Sequence, residues 1–121
     1  MGLDFYDGEW ASYSGIGSEF QRYETEPGGL NWLAWFSAEH GKPMVFPEWG
    51  LGWGTCSSSG QPVSAPGSQV CGGDDGTFIN DSVTWFVAHG VYEATFWDYG
   101  TSSVSAGSNP NTAAALQSNF G

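Results

Sequence analysis

The stretch Gly41-Lys42-Pro43-Met44-Val45-Phe46-Pro47-Glu48-Trp49-Gly50-Leu51 decides how this chain is read. Pro43 to Pro47 is a continuous apolar run, and it leads directly into a carboxylate, an indole and a glycine. Upstream, Leu30, Leu33, Ala34 and Phe36 recur at helical spacing, with Trp32 and Trp35 alongside. Pro27 lies before that run and Gly41 supplies a helix stop, so the spacing predicts a helix over 30–39 that returns quickly into a strand. The same grammar recurs downstream. Phe78, Ile79, Val83, Phe86 and Val87 carry a second helical period that Gly90 ends, and Val91 to Trp97 reads as a strand followed by Asp98. Ala38-Glu39-His40-Gly41 before one strand rhymes with Val87-Ala88-His89-Gly90 before the next, a weak internal repeat. Gly2 to Asp7 reads as a first strand, and a short final helix starts at Asn109-Pro110 or Asn111 and runs through Leu116.

The connections are unequal. Returns into strands take two or three residues, while residues 8–27 and 51–74 read as long loops leaving strands. In β/α folds the loops at the C-terminal ends of parallel strands build the functional site. Two architectures fit: a small open three-stranded parallel sheet, or a piece of a (β/α)8 barrel, which as a whole takes about 250 residues. Parallel sheets want both faces covered, and three helices do that poorly. The expectation is therefore an α/β chain whose residues 1–121 form three β/α units of an incomplete TIM barrel.

The 121 residues carry 13 acids against 2 bases, a net charge of -11. Such a surface repels phosphate backbones and anionic lipid, which argues against nucleic-acid and membrane partners. No run approaches the roughly 18 apolar residues of a membrane span, and the acidic opening Met1-Gly2-Leu3-Asp4 lacks a signal-peptide pattern. Hydrophobic residues make up 40%, and 7 Trp is more indole than a small core needs. Cys56 and Cys71 stand in a Ser/Gly/Pro-rich stretch far from His40 and His89, so a disulfide is expected rather than a zinc site. Closing a loop of about 15 residues is worth roughly 3 kcal/mol in the chain-entropy estimate. Such a bond implies an oxidising compartment, hence an extracellular protein. No metal and no cofactor is expected.

Each strand ends on an acid with aromatic company: Asp7 with Tyr6 and Trp10, Glu48 with Trp49 and Trp53, Asp98 with Trp97 and Tyr99. Carboxylates ringed by aromatic faces suit carbohydrate, because a flat ring stacks on the apolar C–H face of a pyranose while carboxylates bind hydroxyls or do acid/base and nucleophilic work. The plainer alternative is that the aromatics fill the core and the acids merely end strands. Asp74-Asp75 could bind calcium, yet capping and the dipole of a following helix account for adjacent acids there. Asn80-Asp81-Ser82 fits the glycosylation triplet but lies in an expected helix.

The 41–51 segment resembles the seventh strand of clan A retaining glycoside hydrolases, most nearly the family 26, β-mannanase-like enzymes. The remaining segments align in order. Gly2 to Asp7 is similar to strand six, Gly72-Gly73-Asp74-Asp75 with Phe78, Ile79 and Trp85 to helix seven, Phe96-Trp97-Asp98 to strand eight, and Asn109 to Phe120 to the closing helix. The resemblance covers nearly the whole chain and implies strands six to eight of a (β/α)8 barrel. It implies Glu48 as the nucleophile that forms a glycosyl-enzyme intermediate. It further implies Tyr6 as a hydrogen-bonding neighbour of that nucleophile, and Trp97 as the floor under the sugar at the cleavage point. Trp49, Trp53 and Trp10 become candidates for flanking subsites.

One departure matters. Retaining hydrolysis needs two carboxyl groups about 5–5.5 Å apart, and the family's acid/base Glu comes from strand four, which this sequence does not contain. Asp7 and Asp98 do not occupy its place. The expected partners are therefore a β-linked polysaccharide, with β-mannan as the first guess and β-glucan or xylan as alternatives, and the missing N-terminal barrel units. Alternatives of another class are a non-catalytic carbohydrate-binding protein and a truncated frame without function of its own.

Overall fold

A computed structural model of the chain describes residues 1–7, 18–52 and 73–121. Three strands, β1 (Phe5–Asp7), β2 (Val45–Leu51) and β3 (Glu93–Phe96), form one parallel sheet in the order β1-β2-β3. Between and after them run α1 (Ser18–Thr25), α2 (Leu30–His40), α3 (Gly76–His89) and α4 (Pro110–Phe120), with a 3-10 turn at Gly100–Ser102. Chain order equals sheet order, with no reversal. Crossovers of one hand that always step the same way put every helix on one face of the sheet, whereas a doubly wound fold reverses its strand order. The single core bears this out: Leu30 and Leu33 of α2, Phe78, Ile79 and Phe86 of α3 and Phe5, Phe46 and Trp49 of the strands belong to one buried cluster. The alternating α/β architecture is consistent with a section of a TIM-barrel-like fold.

The helix stops lie where the glycines put them. Gly41 and Gly90 adopt left-handed φ values of 59° and 65° after α2 and α3, a conformation that costs glycine little. At the starts, the two adjacent acids divide the work. Asp75 caps α3, its carboxylate accepting from Thr77 N and Phe78 N at 2.9 and 3.0 Å. Asp74 reaches across the chain to the first turn of α4, accepting from Asn111 N and Thr112 N at 2.9 and 2.8 Å. Capping thus accounts for this acidic pair.

Helix α1 is a departure from the expected 8–27 loop. Its anchors are Phe20 and Tyr23, one turn apart and buried, with ring centroids 6.3 Å from Phe78 and 5.4 Å from Phe5 respectively. Two apolar positions in eight residues give no periodic signal, and a helix this short owes its stability to the packing it meets.

Strand β2 carries the feature that organises the site. Val45 pairs with Gly2 and Trp49 with Phe5 on one side, while Phe46 pairs with Ala94 and Trp49 with Phe96 on the other. Against both neighbours β2 has one residue too many between its ends, a β-bulge at Pro47-Glu48. A proline in a central strand withholds a ladder donor, and a bulge is where a sheet accepts one. The bulge reverses the alternation, so Phe46 and Trp49 both point to the helices and both meet Phe86, with centroids 4.6 and 5.1 Å away.

The disulfide expectation is corrected. Cys56 and Cys71 both lie outside the described residues, and among the described residues there is no cysteine and no disulfide to support the expected cross-link. Sequence spacing alone does not bring two Cα atoms to the separation and dihedral that an S–S bond requires, and the cross-link takes no further part. Among the described residues no helix is long and apolar enough to cross a membrane.

Candidate functional site

The helices close one face of the sheet, and among the described residues none of them covers the other, the open face. Leu3 and Phe5, and likewise Ala94 and Phe96, pack into the core, so the residues that alternate with them point away from it. That open face carries Asp4 and Tyr6 from β1 and its lead-in, Glu48 from the bulge, and Glu93, Thr95 and Trp97 along and beyond β3. Asp4, Glu93 and Thr95 are exposed, Glu48 is half-buried and Tyr6 is buried.

Glu48 owes its position to Pro47. Regular alternation from Phe46 would turn Glu48 toward the helices and Trp49 toward solvent. The extra residue swaps them. On the neighbouring strand, Trp97 donates its backbone N–H to the Trp49 carbonyl at 2.8 Å, which fixes it at the C-terminal end of the sheet. Its indole is 41% exposed and meets Tyr99 edge-on, centroids 6.0 Å apart. One residue past Trp49 in β2 comes Gly50, and the register sets it beside Trp97. Gly50 itself carries no side chain, and the space its Cβ would take is bounded at 3.5 Å by the Phe96 ring, the Ser102 hydroxyl and the Trp97 carbonyl.

Other expected site residues take different places. Trp49 is 1% exposed and belongs to the core, stacked on Phe5 and edge-on to Phe96, so it is corrected from a flanking subsite to a packing residue. Asp7 alternates with Tyr6 to the helix side and is fully buried, which removes it from the open face. Asp98 is exposed but knits its own loop: Oδ1 accepts from Val104 N at 2.7 Å and Ser105 N at 3.3 Å. Those backbone donors hold its carboxyl below the ordinary aspartate range. The loop is tied down further where the Ser102 hydroxyl donates to the Leu51 carbonyl and Asn109 Nδ2 donates to the Ser103 carbonyl at 2.9 Å. Trp10 and Trp53 lie outside the described residues.

No family model, curated protein or solved structure matches this chain. Its functional reading rests on its own residues. Among the described residues no group of three His, Cys, Asp or Glu side chains is placed to hold a metal ion.

Sequence reasoning passed over two features. Asp4 stands beside Glu48 on the open face, a position visible only once the β1–β2 register is known. The second lies on the helix side, where a groove of about 540 Å³ opens between α1 and α3, with Glu24, Asp81, Trp85 and His89 among its walls. His89 stacks on Trp85 with centroids 4.0 Å apart, and its Nδ1 lies 2.9 Å from the Trp85 carbonyl. Burial first, then the charges of Asp75 and Glu24, push the Asp81 carboxyl above its ordinary range. A group whose pKa is raised by folding favours the fold at low pH and loses that contribution as pH rises through the folded value. Asp81→Asn is therefore expected to raise the thermal midpoint at neutral pH, with the gain vanishing below about pH 4. Melting curves at the two pH values measure this, and an unchanged midpoint at neutral pH would contradict it.

Proposed function

We propose that this chain forms strands six to eight of a (β/α)8 barrel belonging to a retaining β-glycoside hydrolase, with Glu48 as its nucleophile and a β-linked polysaccharide, β-mannan first, as its substrate. One observation carries the reading. The bulge at Pro47-Glu48 turns the carboxylate to the open face while sending the adjacent Trp49 into the core. Bulges re-aim side chains next to active sites, and a half-exposed indole, Trp97, ends the neighbouring strand.

In this reading Trp97 stacks on the C–H face of the pyranose and holds the ring over the sheet. Glu48 attacks the anomeric carbon, the bond to the leaving oxygen breaks, and a covalent glycosyl-enzyme forms. Tyr6, on Glu48's side of the neighbouring strand, orients the carboxylate. The general acid/base comes from the barrel units absent here. Asp4 does not serve, because neighbours on adjacent strands point the same way and cannot straddle the scissile bond. The rival reading is a carbohydrate-binding protein that uses the same indole without cleaving.

A 2-deoxy-2-fluoro-β-mannosyl fluoride separates the two. Fluoride leaves without protonation, so labelling needs the nucleophile but no general acid. The expected result is one covalent fluoroglycosyl group per protein, mapped to Glu48 by peptide mass spectrometry. Reversible binding of mannan with no adduct would favour the binding protein.

A further inference from the structure

The groove between α1 and α3 lies on the helix side of the sheet, and its walls are of three kinds. Glu24 of α1 and Asp81 of α3 supply carboxylates, both half-buried. Phe20, Trp85 and Ala88 supply apolar surface, the two rings themselves being buried. His89 closes the far end of α3, about 12 Å along the helix axis from Asp81. Its Nδ1 meets the Trp85 carbonyl at 2.9 Å. A carbonyl only accepts, so Nδ1 carries a proton and the neutral ring keeps Nε2 as an acceptor.

The two carboxylates feel each other. Burial first, then Asp75, then Glu24, raise the Asp81 carboxyl. The chain has no base to set against them. Arg22 is paired with Glu26 on α1, Lys42 lies in the turn after α2 and outside the groove walls, and the terminal ammonium of Met1 donates to the Pro43 carbonyl at 2.8 Å. Residues 8–17 and 53–72 contain no Lys, Arg or His, so the segments outside the described residues bring no counter-charge either.

Size and lining narrow what can neutralise the pair. The groove, about 540 Å³, is far larger than a bare metal ion, and no three metal-ligating side chains gather among the described residues. Carboxylates at one end ask for N–H donors in charge-assisted bonds. The rings between the ends favour a methylene chain withdrawn from water. The imidazole at the other end accepts one more donor. Two hydrogen bonds of about 2.9 Å take up part of the Asp81–His89 span, which leaves the ligand's nitrogens roughly 6 Å apart, the reach of a short diamine.

We infer that this groove binds a linear alkyl diamine, with one ammonium between Glu24 and Asp81, the chain along Phe20, Trp85 and Ala88, and the second ammonium donating to His89 Nε2. The site shares no residue with the open face and stands independently of the carbohydrate reading.

Isothermal titration calorimetry of the 121-residue chain with cadaverine, at neutral pH and low salt, tests this. One saturable site per chain is expected. Asp81→Asn and Glu24→Gln keep the side-chain shape and should each weaken binding on the order of ten-fold, the loss of one charge-assisted hydrogen bond. Asp81→Asn is also the variant expected to melt higher, so its lost affinity is not lost fold. Glu39→Gln removes the same charge from the exposed surface of α2 and should leave affinity unchanged. Pentylamine and the acetylated amide of lysine each present a single ammonium, the second as a protein side chain would. Both should bind several-fold more weakly than cadaverine, and His89→Ala should erase that difference. Absence of a saturable site overturns the inference. So does a loss in Glu39→Gln equal to that in Asp81→Asn, which would mean diffuse attraction to a net charge of -11. Lysine amide binding as tightly as cadaverine overturns it too, because one ammonium would then suffice.

Discussion

Trp49→Ala is expected to destabilise the chain by about 3–5 kcal/mol, the range for removing a large buried aromatic ring. That is a large share of the roughly 5–15 kcal/mol that a folded domain holds, so the variant should unfold at a much lower urea concentration than the parent. The size of the effect follows from where the bulge sends the indole. It is 1% exposed, stacked on Phe5 at 6.3 Å and edge-on to Phe86 and Phe96 at 5.1 and 5.4 Å. Its removal opens a cavity at the junction of all three strands and α3. Trp49→Phe separates ring from dipole. The indole N–H is buried and has no acceptor among the described residues, so phenylalanine keeps most of the packing and removes an unmatched donor. Its net cost should stay within about 1–2 kcal/mol. Urea melts followed by circular dichroism measure both. A Trp49→Ala variant as stable as the parent would mean that the indole lies on the open face and that β2 has no bulge.

What the sequence disclosed about the fold were its periods and its stops. Leu30, Leu33, Ala34 and Phe36, and then Phe78, Ile79, Val83, Phe86 and Val87, mark two helical periods. Of these, Leu30, Leu33, Phe78, Ile79, Val83 and Phe86 are buried, while Ser37 joins the first buried stripe and Val87 falls outside the second. Gly41 and Gly90 end those helices because a left-handed residue is cheap only there. Three strands with short returns could be read the same way. The bulge could not be read from periodicity, since Val45 to Trp49 is apolar on nearly every position and alternation has nothing to grip. Its one local sign is Pro47, a residue that a central strand admits only where the ladder is broken. Helix α1 was hidden for a different reason: Phe20 and Tyr23 find their partners in Phe5 and Phe78, far along the chain. The strand-end acids look alike in sequence and part company in space. Asp7 turns inward by alternation, Asp98 is held by the amides of Val104 and Ser105, and only Glu48 reaches the open face.

Under the proposed function, Glu48→Gln in the protein joined to its remaining β/α units should lower turnover on the order of 10⁴-fold or more, as loss of a covalent nucleophile does. Mannan affinity should stay within a few-fold, because the amide keeps the shape of the carboxylate and Trp97 keeps its stacking face. The contrast with Trp97→Ala is informative. Losing the indole removes contact with the sugar in both ground and transition states, so KM should rise together with any fall in kcat. Glu48→Gln acts on kcat with KM nearly unchanged. A small nucleophile such as azide, given an activated mannoside, adds a third reading. In a retaining enzyme stripped of its nucleophile, azide enters the space beside residue 48, attacks the anomeric carbon and restores turnover with inverted product. Glu48→Ala leaves more room than Glu48→Gln and should be rescued better. Unimpaired turnover in both variants would remove Glu48 from catalysis. Rescue by azide would tie the bulge at Pro47 to the chemistry, since it is the bulge that turns this side chain toward the sugar.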